Sequence, residues 1–269
     1  MIYDFNSYNY QFKLDDANNK VGSFDYAVKG LMDESWEKDT FSAIYNLRND
    51  SKAFLDIGSW IGLHSMYSSP LFNRVIAVEA DTKAANCFKK NTKHCDNITL
   101  IESACVPEES KGKKVYFGTA KHNAHAALGD SGSQHRTEKV KDEDYAVSAI
   151  TVGEIIEKNY DISLIKCDIE AGEEDLIPSL FEVCEENKIN LFLSFHLMWW
   201  KNKSLINSYS SMFEKSKAYY FYNLADGWYK FNDVEFLTAL IKKNPTISIL
   251  FEFQDEFKSS DYRILKTRF

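Results

Sequence analysis

The sequence predicts an open α/β fold, with a mostly parallel sheet of seven strands, the last of them antiparallel, and helices on both faces. Four stretches carry that expectation. In Phe54–Ser65 an apolar run ends in Asp56, Gly58 and Gly62 bracket a turn, and Leu63–Ser68 continues as a helix. Val75–Asp81 is a second apolar strand, ending in Glu79-Ala80-Asp81 after that helix. Ile162–Cys167 and Ile189–Phe195 repeat the scheme, one running into Asp168-Ile169-Glu170 and the other into His196. Strands that alternate with helices build parallel sheets, because each parallel pairing needs a crossover.

The remaining elements follow in chain order. Met1–Gly30 holds Tyr3, Phe5, Tyr8, Tyr10, Phe12, Phe24 and Tyr26 without a sustained period, so it is expected to lie across the main domain as short strands. Trp36–Leu47 reads as a helix that brings Trp36 and Glu37 near the first glycine loop. Asp81-Thr82 forms a natural N-cap for a helix over Lys83–Asn91, and Ile98–Val106 is the third strand. Val115–Phe117 is strand-like. Gly118–Asp144, polar and with three histidines at 122, 125 and 135, is expected to be a substrate-contacting or lid segment. Gly153–Lys158 is a helix, and Pro178 belongs in the first turn of another over Pro178–Glu186, where its missing N–H is harmless. Leu205–Lys217, Tyr219–Asn223, Val234–Lys243 and Ile247–Phe253 alternate helix, strand, helix, strand, closing the sheet antiparallel.

Composition narrows the class. A chain of 269 residues can bury one sizeable core, so a single domain over 1–269 is expected, with an N-terminal extension and cap helix over 1–50 and the α/β core over 51–269. The net charge of −8 argues against a nucleic-acid partner, which needs clustered Lys and Arg. The longest apolar stretch, Leu191–Trp200, is interrupted by His196 and too short to span a bilayer. The N-terminus lacks an apolar export core, and the five cysteines, at 87, 95, 105, 167 and 184, show no Cys-x-x-Cys spacing. A cytoplasmic protein with reduced thiols is expected.

The chemistry is expected at the carboxyl ends of the parallel strands, where open α/β sheets bind ligands. A dinucleotide loop wants glycine two positions after Gly58, and the residue there is Trp60. An indole at that point is hard to reconcile with a pyrophosphate held against the main chain. S-adenosylmethionine has no phosphate and offers a sulfonium and an amino acid. Asp56 suits its amino group, Glu79 its ribose hydroxyls, and Ser103, or Glu102 beside it, lies where the adenine is read. Strand-Asp-x-Gly-x-x-x-Gly followed by strand-Glu-x-Asp is the pattern of the Rossmann-like class I methyltransferase fold. Expected donor contacts are Asp56, Gly58, Ser59, Trp60, Gly62, Glu79, Ala80, Ser103 and Asp168.

Leu-Asp56-Ile-Gly58-Ser-Trp-Ile-Gly62, Val-Glu79-Ala-Asp81, Ile-Lys166-Cys-Asp168-Ile-Glu170-Ala-Gly-Glu173 and Ser-Phe-His196 together resemble the FkbM family of S-adenosylmethionine-dependent methyltransferases, over about Trp36 to His196. The family's fourth-strand motif has Gly-Ala where this chain has Ala171-Gly172. The resemblance implies O-methylation of a hydroxyl on a sugar, glycan, polyketide or other small metabolite. No proline neighbours another, so the Asp/Asn-Pro-Pro-aromatic motif of many amino-group methyltransferases is absent. A glycan acceptor is favoured because Trp199, Trp200, Trp228 and Tyr229 would suit sugar faces. A hydroxyl must lose its proton as it attacks, so His196 is the first candidate base and Asp168 the second. Asp168 and Glu170 would share a side if the strand persisted, and would then hold a divalent cation such as Mg²⁺ or Mn²⁺ in the alternative mechanism. An NAD-dependent oxidoreductase and an inert cofactor-binding protein remain the rival classes.

Overall fold

Side-chain parity along the strands decides the architecture. The structure is a computed structural model that describes residues 2–15, 24–117, 145–170, 172–222, 227–244, 246–254 and 263–264. Its strands are β1 Ile2–Ser7, β2 Tyr10–Asp15, β3 Asn49–Ile57, β4 Phe72–Glu79, β5 Ile98–Glu102, β6 Ala104–Val106, β7 Val115–Phe117, β8 Tyr145–Val147, β9 Ala149–Thr151, β10 Ile162–Cys167, β11 Asn190–Phe195, β12 Lys217–Tyr222, β13 Gly227–Lys230, β14 Ile247–Glu252 and β15 Arg263–Ile264. Its helices are α1 Phe24–Met32, α2 Lys38–Asn46, α3 Leu63–Ser68, α4 Thr82–Asn91, α5 Val152–Lys158, α6 Glu173–Asn187, α7 Leu205–Ser208, α8 Ser210–Phe213 and α9 Val234–Lys243.

The central sheet runs β15-β13-β12-β14-β11-β10-β3-β4-β5. Pairings from β11 through β10, β3 and β4 to β5 are parallel, and β14 is antiparallel to both β11 and β12. This is the expected Rossmann-like class I methyltransferase arrangement, with its reversed strand inserted beside the end of the parallel run. The sheet has nine strands among the described residues rather than seven. Trp228 and Tyr229 lie on β13, which hairpins onto β12, and β15 pairs with β13 in parallel.

Alternate residues on each strand feed opposite cores, as a period of two requires. Leu55, Ile57, Ile76, Val78, Ile165, Cys167, Leu191 and Leu193 pack with α5, α6 and α9 through Ile155, Leu180 and Ile241. Phe54, Val75, Leu164 and Phe192 pack the other way, against Phe12, Leu31, Phe41 and Met66 of β2, α1, α2 and α3. Each fully buried Leu, Ile or Phe contributes about 1.5–3 kcal/mol, so both faces add to stability and leave the sheet buried on two sides. The same parity sends Asp56 and Lys166 toward the face that α2 and α3 cover.

Several elements differ from expectation for local reasons. The expected strand over Ile98–Val106 breaks at Ser103, where the chain leaves the main sheet after β5 and β6 turns to pair with β9. The expected helix over Leu205–Lys217 is two short helical turns, α7 and α8, and the strand over Tyr219–Asn223 begins earlier, at Lys217. Pro178 lies inside α6, at its sixth residue rather than in its first turn. A proline there leaves the Glu174 carbonyl without its helical donor, and the Tyr209 hydroxyl donates to that carbonyl at 2.7 Å instead. The segment Gly118–Asp144, with its three histidines and its expected lid role, lies outside the described residues.

Candidate functional site

The chain leaves β3 toward β4 on one side and reaches β10 on the other, so the carboxyl ends of β3, β4 and β10 meet where the strand order reverses. A cavity of about 280 Å³ opens there, at the lower end of the ~300–1,000 Å³ of small-molecule sites. Gly58, Ser59, Trp60, Glu79, Ala80, Ser103, Asp168 and Glu170, all expected from the sequence, line it. Asp56, Gly62 and His196 do not. Trp36, Glu37, His64 and Lys166 line it as well.

The glycine loop is shaped by its protein neighbours. At Gly58 φ is +76°, and a β-carbon there would lie 1.8 Å from the Asp168 carbonyl oxygen. At Gly62 φ is +89°, and a β-carbon would press on Phe88 and Thr92. Glycine is therefore required twice, by a positive φ and by close packing, before any ligand arrives. Trp60 lies between them with φ +48°, and its N–H donates to Glu79 Oε2 at 2.8 Å. The Asp81 N–H donates to Glu79 Oε1 at 2.7 Å. One carboxylate thus ties the first glycine loop to the start of α4 and keeps lone pairs for a further donor.

Asp56, expected to meet the donor's amino group, is fully buried beneath the loop. Its Oδ2 accepts from the Ser65 hydroxyl at 2.6 Å, and its Oδ1 lies 3.3 Å from Lys166 Nζ. The Lys166 ammonium also donates to the Gly58 carbonyl at 3.2 Å. Burial alone would strip the lysine of its proton, but Asp56, Asp168 and Glu37 outweigh it and raise its pKa. Sequence reasoning passed over Lys166, although a lysine inside an apolar strand, two residues before an acid, marks a buried ion pair.

After β10 the strand geometry ends. Glu170 has φ +48°, so it does not continue the alternation that would set it beside Asp168. Burial, then Asp168, lifts the Glu170 pKa to about 7. Among the described residues no group of three or more His, Cys, Asp or Glu is arranged to hold a metal ion, so the expected Asp168–Glu170 cation has no ligand set.

His196 is held from behind. Its backbone N–H donates to Glu173 Oε1 at 2.7 Å, its Nδ1 lies 3.0 Å from the same oxygen, and its Nε2 lies 3.7 Å from Asp168 Oδ1. Burial works to deprotonate the ring, yet Glu173, Asp168 and Glu170 outweigh it and take the pKa up to about 9. The raised pKa makes the ring a weaker proton acceptor at neutral pH, and His196 is not among the residues that line the cavity. Glu174 accepts from the Lys201 and Asn202 N–H groups, so Glu173 and Glu174, both missed as structural residues, clamp the segment after β11 onto the start of α6. None of Trp199, Trp200, Trp228 and Tyr229, expected to meet a sugar, lines this cavity. Trp200 and Trp228 are buried, with Trp228 Nε1 donating to Ser42, and Trp199 stacks on His196.

The aromatic faces at the cavity are instead Trp36 and Trp60, whose ring centroids lie 6.2 Å apart. Trp36 stacks on His64 at 5.3 Å with planes 4° apart. Glu37, with φ +45°, brings Oε2 to 3.2 Å from His64 Nε2. Burial, then Asp168, raises the Glu37 pKa to about 8, while burial and Lys166 hold His64 neutral, well below its ordinary value. Glu37, Trp60 and Glu170 are three of the seven non-glycine residues with positive φ among the described residues, and all three line this cavity. Such backbone strain clusters where a fold holds a site. Burial raises Glu79 to about 7 as well, so the cavity carries more carboxyl groups than its single lysine balances.

No model of a known protein family matches the chain, and no curated protein matches it either. Solved structures share the fold at low identity. A precorrin-6y C5,15-methyltransferase from Geobacter metallireducens GS-15 aligns at 12% identity over 80% of this chain and 89% of that one, with a TM-score of 0.41. A methyltransferase FkbM from Methylobacillus flagellatus KT aligns at 14% identity over 85% of this chain and 55% of that one, with a TM-score of 0.42. An rRNA methylase from Streptococcus thermophilus aligns at 8% identity over 79% and 93%, with a TM-score of 0.42.

Proposed function

We propose that the chain is an S-adenosylmethionine-dependent O-methyltransferase, of the FkbM type that its motifs resemble, acting on a hydroxyl of a glycan or a related small metabolite. The observation that carries this reading is the charge of the cavity at the strand-order reversal. Glu37, Glu79, Asp81, Asp168 and Glu170 line it against Lys166 alone, and that lysine is committed to Asp56 and the Gly58 carbonyl. Burial has raised the pKa values of Glu37, Glu79 and Glu170, so a cation entering here draws out their ionised forms, whereas a pyrophosphate meets Asp81 and Asp168 without an unpaired lysine to offset it. The main chain agrees, because the Trp60 N–H, which a dinucleotide loop would aim at phosphate, is already donated to Glu79. S-adenosylmethionine supplies an electrophilic methyl group on a cationic sulfur, and the residues present fit it. Glu79 retains acceptor capacity for ribose hydroxyls, Ser103 stands at the cavity edge of β6, and Asp168 adds negative charge.

Calorimetry tests the donor. S-adenosylmethionine and S-adenosylhomocysteine should bind and NAD should not, and Glu79→Ala should weaken both by about 1.5–3 kcal/mol, roughly 10–150-fold. NAD binding in place of the two sulfur compounds would overturn the reading. Transfer of labelled methyl into a panel of glycans and hydroxylated metabolites tests the acceptor, and donor binding without any transfer would favour an inert binding protein.

A further inference from the structure

We propose that Glu37 is the residue that takes the acceptor's hydroxyl proton, in a subsite formed by Trp36, Glu37, Trp60 and His64; the inference rests on the methyltransferase reading. The argument begins with which carboxylates are spent. Asp56 is paired with Lys166, Glu79 holds two backbone N–H groups, Asp81 caps α4 through the Lys83 and Ala84 N–H groups, and Glu173 and Glu174 hold the segment after β11. Glu37 accepts only a long contact of 3.3 Å from the Thr40 hydroxyl among the hydrogen bonds described. Its imidazole partner is 3.2 Å away without forming an aligned hydrogen bond, so His64 Nε2 is buried and unsatisfied. Ser59 Oγ and Trp60 Nε1, on the same wall, are buried and unsatisfied too. A carboxyl group beside the Trp36 and Trp60 rings suits a neutral molecule with hydroxyl groups and a flat apolar face.

Each of the two carboxyl groups faces a cation that lowers its basicity, Lys166 at Glu37 and His196 at Glu170, so position makes Glu37 the proton acceptor. Glu37 follows Trp36, whose indole lies 6.2 Å from that of Trp60, and these are the faces that would hold an acceptor in line. The step balances. The acceptor oxygen forms a bond to the methyl carbon, the carbon–sulfur bond breaks with its electron pair left on sulfur, and the hydroxyl proton passes to the ionised Glu37 carboxylate. The products are a methyl ether, a neutral thioether and a protonated Glu37, which returns its proton to solvent. The charged and titratable groups facing Glu37 include Lys166 and Asp168 from β10 and its end, Asp39 from α2, His64 from α3, and Tyr8 from the turn between β1 and β2. A base with a proton affinity near the working pH is the effective kind.

The experiment uses the two sulfur compounds themselves and needs no acceptor. Each is titrated calorimetrically into the whole protein at pH 7.5, in two buffers of different ionisation enthalpy, so that proton release is read directly. A sulfonium bound beside Glu37 should expel its proton while the uncharged thioether should not. S-adenosylmethionine should therefore release more protons than S-adenosylhomocysteine. Glu37→Gln should remove most of that excess, Glu37→Asn, which tolerates the left-handed backbone, should do the same, and Glu170→Gln should retain most of it. An excess that survives both Glu37 variants, or that vanishes in Glu170→Gln, would overturn the assignment. Failure of both compounds to bind the wild-type protein would instead refute the methyltransferase reading, and the assignment with it.

Discussion

Lys166 holds the buried charge pair beneath the first glycine loop. It is 2% exposed, and its ammonium joins Asp56, itself fully buried, to the carbonyl of Gly58. Removing one partner of such a pair strands the other charge in a low dielectric, which costs about 3–5 kcal/mol. Lys166→Met should lower the free energy of urea unfolding by about that amount. Lys166→Met with Asp56→Asn should recover much of the loss, since no buried charge is then left alone. If the single and double variants unfold together, the ion pair is not what anchors the loop. This residue also marks the limit of what the sequence discloses. Asp56 was legible as a strand-end acid, but its partner lies 110 positions away on β10, and only the register of β3 beside β10 brings the two together. His196 shows the same limit, because its protonation is set by Glu173, Asp168 and Glu170, arriving from another element.

Elements with strong local signals were read correctly. Leu63–Ser68, Ile162–Cys167 and Val234–Lys243 have the bounds their patterns predict, and Asp81 caps α4 through the Lys83 and Ala84 N–H groups. Helix α6 was misread because Pro178 is a stop signal in sequence, and its tolerance depends on a hydroxyl 31 positions later. Replacing Tyr209 by Phe should leave the Glu174 carbonyl buried and unpaired, a loss of about 1–3 kcal/mol. Pro178→Ala restores the helical N–H, so Tyr209→Phe should cost far less in that background. Chemical denaturation of the four proteins measures the coupling, and additive losses would show that the hydroxyl does not replace the missing donor. The edge strands β13 and β15 were missed for a different reason. Edge pairing is decided by the neighbour rather than by the segment, and two-residue β15 has no period to read.

At the scale of the whole molecule, the two cores differ in where their residues come from. The core on the α5, α6 and α9 face is drawn from residues after Lys52 in the chain. On the opposite face, ten of the 24 buried residues, Phe12, Leu14, Phe24, Ala27, Val28, Leu31, Phe41, Ala43, Ile44 and Leu47, come from the segment read in sequence as an extension and cap helix. That segment also supplies Trp36 and Glu37 to the cavity, so its helix was legible but its structural weight was not. An irregular aromatic pattern reveals burial only once the surface it packs on is known. We propose on this ground that residues 1–50 and the α/β core form one cooperative domain. Removing residues 1–47 should expose Phe54 and Phe192 of the sheet and Met66 and Tyr67 of α3, an apolar patch that should drive association. The truncated chain should therefore lose its cooperative thermal transition and aggregate, while the full chain unfolds in a single step. A soluble truncated chain that still melts cooperatively would show that the segment is a separable cap rather than half of a core.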